Sequence, residues 1–546
     1  MNTYKESISL ALDNIIHFGD TDIFPSSIEN ILFEDLRDHC IKHFEELKSK
    51  NKADFKQYLS SYPPVNFSTV CSVGNTGYRW ATLIDPYWNA YFLSLVLKIA
   101  QNIEDKRIKN EYVYSYRFFP NIINGSLFNK EINWRKFQKD SIALCEDGSK
   151  NIAFVVSCDI ADFYPRIYHH RLENELQMLA GSNSELRGIT DQIALLMQKF
   201  SATKSYGLPI GGPASRILAE LALTATDKLL FQKRVKFKRF VDDYLIFCSS
   251  KEEAHSLLMF LNTKLIENEG LTLQKNKSLI LSKEEFINIA SAKINGVSED
   301  KESTEKARFL NLPVRFDPYS PNAEQEYEEI KASLQTFDLF SMLVEEIKKS
   351  NLNQIYTRHI LKSLKFQEDD VISNSLRLMF ENISELYTIY NVVIQTTITL
   401  WNRINNEVKK DIFSKLEELH ENNSYLLQID VNLAYTVKLF SLFCTDESLI
   451  ILNDIMESSK GSLIKKLVIQ AMGKQNNISW LSDLKNSYGT QSELEKRIFI
   501  VCSYSLGDEG KHWKTHNAHG FTPIQNLYKE WAAERKNKPS GIESAL

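Results

Sequence analysis

Three aspartates stand in segments whose other residues read as buried strand. Asp242 and Asp243 lie inside KFKRFVDDYLIFC (236–248), with Phe237, Phe240 and Val241 ahead of them and Leu245, Ile246, Phe247 and Cys248 behind, an aromatic and aliphatic composition typical of strands. Asp159 closes a similar apolar run in IAFVVSCDIADFYPRI. A carboxylate left unpaired in such surroundings is strongly disfavoured, so it must sit at a turn, be protonated, be paired with a base, or bind a cation. For Asp242 and Asp243 alone, a tight turn that carries acids is the plain reading. The repetition at Asp159 shifts the balance, because the chain between the two places has room for crossover helices that would bring both strands into one sheet. Three converging carboxylates repel one another unless a hard cation lies between them, and Mg²⁺ suits sites with few protein carboxylates completed by phosphate and water. A pair of such ions activates a hydroxyl nucleophile and stabilises a leaving phosphate, the chemistry of polymerases, some nucleases and phosphatases.

Two further stretches bear on that choice. In SYGLPIGGPASRILAEL (205–221), Gly207, Gly211 and Gly212 with Pro209 form a turn that leads into a helix beginning near Ala214 or Ser215. Such a turn lets backbone approach a flat or anionic ligand closely, although many strand-to-helix turns contain glycine. Directly ahead of the aspartate pair, QKRVKFKR (232–239) holds Lys233, Arg234, Lys236, Lys238 and Arg239. If this is a strand, Val235 and Phe237 alternate inward and leave one basic face beside the acids. A strand edge guarded by lysines would give the same run.

The elements that must position these residues follow from composition and periodicity. At 546 residues the chain has room for about three or four domains. With 43% hydrophobic and 25% charged residues it has an ordinary globular composition. Net charge is −5, so any nucleic acid must be met by local positive potential. Apolar runs stop well short of a membrane span and the N-terminus has no basic region followed by a long apolar stretch, which points to a cytoplasmic protein with no membrane partner. The seven cysteines form no CxxC pair and imply buried, reduced thiols. Residues 1 to about 60 carry helix-period apolar positions, and 61–150 mix loop, strand and the helix candidate YWNAYFLSLVLKIAQNI. Short strands alternate with helices over 151–290, whereas beyond 320 helix follows helix, as a HEAT-like array or an irregular bundle. His512, His516 and His519 lack the neighbours of a known metal motif and read as a polar loop, and the tail ERKNKPSGIESAL reads as frayed.

The order DIADFY, GLPIGGPASR, FVDD, GLTLQKNKS resembles the palm motifs of reverse transcriptases. The resemblance is specific in order and spacing and covers roughly residues 70–290, with YRWATLIDPYWNAYF and VYSYRFFP similar to the preceding fingers motifs. Within that family, the GLPxGxxxSRxLAEL form and the long helical extension resemble the abortive-infection and defence-associated bacterial reverse transcriptases. The chain departs from the retroelement pattern at Ile210, where glutamine is usual, and at Arg216, where proline is usual, and both departures favour the defence group.

The resemblance implies that Asp159 and Asp242 ligate two Mg²⁺ ions, for which Mn²⁺ can substitute, with Asp243 completing the acidic cluster and Ile160 supplying a backbone carbonyl. Tyr164 falls where the family places a bulky side chain under the sugar, which implies preference for deoxynucleotides; packing beside Phe163 is its other reading. Arg117 would fork onto the incoming triphosphate, an ion pair within the fingers being the rival role. Lys277, or the nearby Lys275, would stand near the leaving pyrophosphate, and Gly211 and Ser215 would face the nucleotide. Arg79 fits the fingers motif or braces the fold, and Tyr112, Tyr114, Tyr116, Phe118 and Phe119 stack bases or fill the core.

The expected fold class is α+β: right-hand polymerase fingers and palm followed by an all-α domain. Its segments are an N-terminal helical stretch (1–60), fingers (61–150), palm (151–290), connector (291–320) and α-helical C-terminal domain (321–546). The function implied is DNA synthesis from dNTPs in antiphage defence, untemplated and primed from a tyrosine hydroxyl, by a homo-oligomer. Copying of a dedicated noncoding RNA template is the first alternative. A non-catalytic nucleic-acid-binding or assembly scaffold is the alternative of another class.

Overall fold

Apolar residues run through the two acid-bearing strands without polar alternation because both faces of those strands are covered. The computed structural model describes residues 3–25, 27–74, 77–201, 204–295, 306, 309–310, 312, 323–349, 351–539 and 541–546, so the expected connector at 291–320 lies mostly outside the described residues. Its strands are β1 (Phe67–Val73), β2 (Gly77–Leu83), β3 (Phe118–Asn121), β4 (Ser126–Phe128), β5 (Phe154–Asp159), β6 (Phe237–Phe240), β7 (Asp243–Cys248) and β8 (Leu279–Ser282). The last four form one antiparallel sheet in the order β6-β7-β5-β8. On one face Val155, Leu245 and Phe247 pack with Tyr114, Phe137 and Phe286. Tyr244, one residue out of phase with Leu245, reaches instead to the helix Pro213–Gln232, where its hydroxyl donates to Asp227 Oδ1 at 3.0 Å.

Between β5 and β6 the chain passes through the helices Phe163–Arg166, His169–Ala180, Ser184–Phe200 and Pro213–Gln232, the crossover that brings the two acidic strands side by side. Pro86–Lys106, started by the Asp85 cap and Pro86 in the first turn, is buried along most of its length against Tyr4–Phe18 and Pro213–Gln232.

Two acids in the apolar helix LAELALTATDKLL explain how the layers lock. Glu220 (1% exposed) takes Arg239 Nη2 at 2.9 Å and Arg107 Nη2 at 2.7 Å, and Ser115 Oγ donates to its other oxygen at 2.5 Å. Asp227 takes Arg239 at 2.6 Å, and Glu104 takes Arg107 at 3.0 Å and Arg117 at 2.5 Å. Three guanidiniums thus face three carboxylates. Burial opposes the charge on Arg239, but Asp227 and then Glu220 outweigh it and hold the guanidinium well above its ordinary value. Burial likewise opposes ionisation of Glu220, and Arg239 and Arg107 reverse it to below the usual carboxylate range.

The network corrects the expectation of a basic face ahead of the aspartates at two of its five residues, Lys238 and Arg239. Arg239 is fully buried, and Lys238 (8% exposed) donates to Tyr114 Oη at 2.6 Å and the Glu111 carbonyl at 3.1 Å. Lys236 bonds the Lys150 carbonyl, and Arg234 turns the chain with φ of +59°. Lys238 and Arg239 serve internal partners, because β6 is covered on both sides, whereas Lys233, Arg234 and Lys236 are exposed.

The chain divides into two compact units: Met1–Asp22, Ser26–Asn66 and Thr82–Ile294 in one, and Ile23–Pro25, Phe67–Ala81 and Asn295–Leu546 in the other. Residues 67–81 of the β1–β2 hairpin therefore group with the helical unit, where β1 packs on the helix Asp430–Phe440 and Thr69 Oγ1 donates to Asp430 Oδ2 at 2.8 Å. In that unit Tyr390–Leu400 packs on Asp430–Phe440, which packs on Ser462–Lys474, then on Glu493–Cys502, then on Pro523–Lys536. Alternate helices stack in succession, the arrangement of a helical-repeat array. A Cβ at Gly473 would collide with Cys502 Sγ, so the absent side chain lets neighbouring rungs approach. Two expectations fail here. His512 and His516 lie on the helix Gly507–Asn517, held by Trp513 against Tyr488 and Phe499, and His519 lies in the single helical turn Ala518–Gly520 that follows. The tail is packed rather than frayed, with Ile542 and Leu546 buried and the Leu546 carbonyl accepting from Gln470 at 2.9 Å. No helix among the described residues is long and apolar enough to cross a membrane.

Arg239→Met is expected to cost about 3–5 kcal/mol by stranding the buried carboxylates of Glu220 and Asp227, read as a lower denaturant midpoint of the full-length chain; an unchanged midpoint would show that the ion network does not hold the sheet to the helix.

Candidate active site

β5 and β7 run antiparallel in a register that places Asp159 directly opposite Asp243. Asp242 precedes Asp243 in the two-residue turn joining β6 to β7. A turn that short needs a backbone with positive φ, usually supplied by glycine or asparagine. Here Val241 supplies it at φ +58°, a conformation that costs a β-branched residue on the order of 1–3 kcal/mol. Two bonds hold it: Arg239 Nη1 donates to the Val241 carbonyl at 2.7 Å, and the Asp242 carbonyl accepts from Ile160 N at 3.1 Å. The acids are at a turn, as the plain reading has it, and that turn is docked against the end of β5.

A second segment closes the site. Ala161 N donates to Thr272 O at 2.8 Å and Gln274 N to Asp159 O at 2.7 Å, which leaves residues 275–277 as a single helical turn beside the carboxylates. Both candidate lysines are solvent-exposed, and Lys277 is the one at the site, its Nζ 2.6 Å from Asp159 Oδ2.

The carboxylates are crowded. Loss of hydration first, then the charges of Asp159 and Asp243, push Asp242 up to about 7. Asp243 is open to solvent at one side, yet the surrounding protein and then Asp159 push it up to about 6. Its hydrogen bond to Asp159, outweighing burial, raises Lys277 above its ordinary value. Among the described residues no three or more His, Cys, Asp or Glu side chains form a ready-made metal cage, and Asp159 is engaged by Lys277. The donor set itself consists of hard carboxylate oxygens with an excess of negative charge, which fits a hard divalent cation.

The remaining candidates divide. Tyr164 is half-buried, and the charge of Asp242 reaches it. Ile160 is buried beside Asp159 and bridges to Leu273. Gly211 has φ of +116° and Gly207 +102°, values that favour glycine, and a Cβ at Gly207 would come within 3.3 Å of the Pro165 carbonyl. Ser215, by contrast, is 2% exposed in the first turn of its helix and turned into the core. Arg117 takes the ion-pair role: it is bound to Glu104, and its Nη1 donates to the Ile108 carbonyl at 2.9 Å. The aromatic run 112–119 is not one alternating strand, since Tyr114 is buried with its hydroxyl on Asp140 and Tyr116 turns the chain at φ +44°. Arg79 is exposed on β2. Residue-by-residue reading passed over Glu220, Asp227 and Arg107; two acids seven residues apart in an apolar helix were the available signal.

Residues 92–313 match the family described as reverse transcriptase (RNA-dependent DNA polymerase), and this stretch is a reverse transcriptase domain with the fingers and palm fold. No curated protein matches the chain. Among solved structures, apo telomerase from Candida tropicalis is similar at 11% identity and a TM-score of 0.32, over 70% of this chain and 73% of that one. Telomerase from Candida albicans, in complex with the TWJ fragment of telomeric RNA, is similar at 12% identity and a TM-score of 0.31, over 75% of this chain and 68% of that one.

The crowding has a sign that can be measured. Unfolded aspartates titrate near about 4, so between about pH 4 and 7 the folded protein binds more protons than the unfolded one, and this contribution to stability falls as pH rises. In chelator, Asp242→Asn should melt above wild type at about pH 8, with the difference closing toward about pH 4. Equal melting temperatures at the higher pH would mean that Asp242 carries no such repulsion.

Proposed function

We propose that the reverse transcriptase domain at 92–313 synthesises DNA from dNTPs, in antiphage defence, without a copied template and with a tyrosine hydroxyl of the protein as primer. The observation that carries the polymerase reading is the register of Asp159 opposite Asp243, with Asp242 in the adjoining turn and Lys277 on Asp159. Support for the defence reading is narrower: the GLPIGGPASRILAEL form of the glycine turn and the stacked helical unit that follows the domain.

Asp159, Asp242 and Asp243 would hold two Mg²⁺ ions, with the Ile160 carbonyl as a further ligand. When bound, the ions supply the positive charge that activates a hydroxyl and stabilises the leaving pyrophosphate. The chain's own groups do the rest. Burial and then the charge of Asp159 hold back ionisation of Asp242 and Asp243, so these carboxyls would release protons on taking a divalent cation. Lys277, paired with Asp159, stands at the site, where its ammonium would donate a proton or hydrogen bond to the departing pyrophosphate. Tyr164 would lie under the sugar, where its ring disfavours a 2′-hydroxyl. Gly211 would let backbone approach the nucleotide. With Arg117 and Ser215 committed to the interior, neither is assigned to the triphosphate.

RNA-templated synthesis is the second reading, favoured by the description of the matched family as RNA-dependent. The two part in one experiment: purified protein is incubated with labelled dNTPs and Mg²⁺, with and without nuclease treatment and added template and primer, and run on a denaturing gel before and after proteolysis. Label that travels with the protein without template, and shifts on proteolysis, supports protein priming. Label that requires template and primer returns the reading to templated copying. Absence of incorporation under every condition counts against the polymerase reading. Asp242→Ala should reduce incorporation to background while the protein stays folded, and Lys277→Ala should lower kcat by about 10²–10⁴ if it is the proton donor.

A further inference from the structure

His169 is a buried histidine that the chemistry above does not use. It opens the helix His169–Ala180, is 3% exposed, and its Nε2 lies 2.7 Å from the Gly207 carbonyl. A carbonyl oxygen only accepts, so Nε2 carries the proton and donates it. Ser201 Oγ donates to the same carbonyl at 3.2 Å and lies 3.2 Å from Nε2. Nδ1 is buried with no hydrogen-bond partner among the described residues, so the polar contacts of the ring all go through Nε2. What such a ring fixes is the position of Gly207.

Gly207 begins the glycine turn and lies against the segment that carries Tyr164. Backbone bonds join the two stretches: His169 N donates to Ser205 O at 3.0 Å, Gly207 N to Ile167 O at 2.8 Å, and Leu208 N to Tyr164 O at 2.9 Å. Tyr168 and Tyr206 form an antiparallel bridge between them. Ser205 and Tyr206 are exposed, so water competes for the bonds at this outer end, and the buried Nε2 bond is the side-chain tie that holds it. Tyr164 depends on that tie because its own element is weak. It stands on the four-residue turn Phe163–Arg166, which has no side-chain cap bond and follows Asp162 at φ +49°. So short a helix does not support itself, and the bond from Leu208 N is what sets the height of the Tyr164 backbone.

We infer that His169 is a positioning residue for sugar selection: by holding the Gly207 carbonyl it fixes the glycine turn and, through Leu208, the backbone of Tyr164, and so sets how strictly the site takes deoxynucleotides over ribonucleotides. This rests on the polymerase reading and on Tyr164 standing under the sugar.

The test is the ratio of kcat/KM for a dNTP to that for the matching rNTP, measured on wild type, His169→Ala, His169→Gln, Ser201→Ala and Tyr164→Ala. Each ratio is internal to one preparation, so a loss of folded protein cancels from it. His169→Ala should lower the ratio about tenfold, the scale of a single misplaced pocket contact. The amide nitrogen of glutamine falls where Nε2 stands and still donates to a carbonyl, so His169→Gln should bring the ratio back toward the wild-type value. If wild type is active and Tyr164→Ala lowers the ratio while His169→Ala leaves it unchanged, the inference is overturned and the polymerase reading stands. A loss in His169→Gln as large as in His169→Ala also overturns it, because the donated hydrogen bond is then not what matters. A ratio unmoved by Tyr164→Ala takes the sugar role from Tyr164 and brings down this inference alone. Wild type inactive with every nucleotide brings down the polymerase reading and this inference with it. Should His169→Ala fail to fold, Ser201→Ala removes the second donor to the same carbonyl and should lower the ratio about threefold; an unchanged ratio there overturns the inference.

Discussion

Glu220 lies buried between two arginines, and three parts of the unit that holds the aspartates meet on its carboxylate. Through Arg239 it grips the strand that feeds the acid-bearing turn, through Arg107 and Ser115 the segment that carries Tyr116, and through its own backbone the helix that begins at the glycine turn. Desolvating such charges is costly, and their attraction offsets that only when every donor and acceptor is matched. The match is close but for Arg107 Nε, which is buried without a partner among the described residues: Arg239 places its remaining donors on Asp227 and the Val241 carbonyl, and Arg107 its Nη groups on Glu104 and the Ser115 and Tyr116 carbonyls. The geometry of the turn is thus a consequence of charge satisfaction beneath it.

Above that base the site accumulates unfavourable terms. Val241 keeps a backbone conformation that its branched side chain resists, and Asp242 and Asp243 are pushed upward in pKa by burial and then by the charge of Asp159. Strain and like-charge crowding of this kind persist only where the surroundings over-determine them, and they cluster where ligands bind. Lys277 relieves part of the crowding from outside, on a short segment that hydrogen bonds to the end of β5. A mobile counter-charge on an exposed side chain is easily displaced by a better one, whereas the buried guanidiniums below are not.

Much of this was legible in residues alone. The acids interrupting strand composition marked β5 and β7, the span between them left room for the crossover, and the apolar periodicity located Pro86–Lys106 and Pro213–Gln232. Other signals misled for identifiable reasons. The run QKRVKFKR looks like a surface because it is charged, yet Lys238 and Arg239 find Tyr114, Asp227 and Glu220 from distant stretches of chain. Arg117 and Ser215 look available because their motifs are, but Glu104 and the helix core claim them. The tail looked frayed because it is mostly polar; Ile542, Ala545 and Leu546 at its end are buried all the same.

Residue type and order by themselves determined where the strands and helices form, that three carboxylates would need a positive partner, and which stretch would turn tightly enough to carry two of them, since propensity, periodicity and the cost of a buried charge are local properties. Only the tertiary structure decided that Asp159 faces Asp243, that Lys277 rather than Lys275 answers them, and that Arg216 reaches Tyr116 while Arg117 turns inward. These depend on which partners long-range packing delivers, and a charged side chain takes whichever partner desolvates it least, however far away in sequence that partner lies.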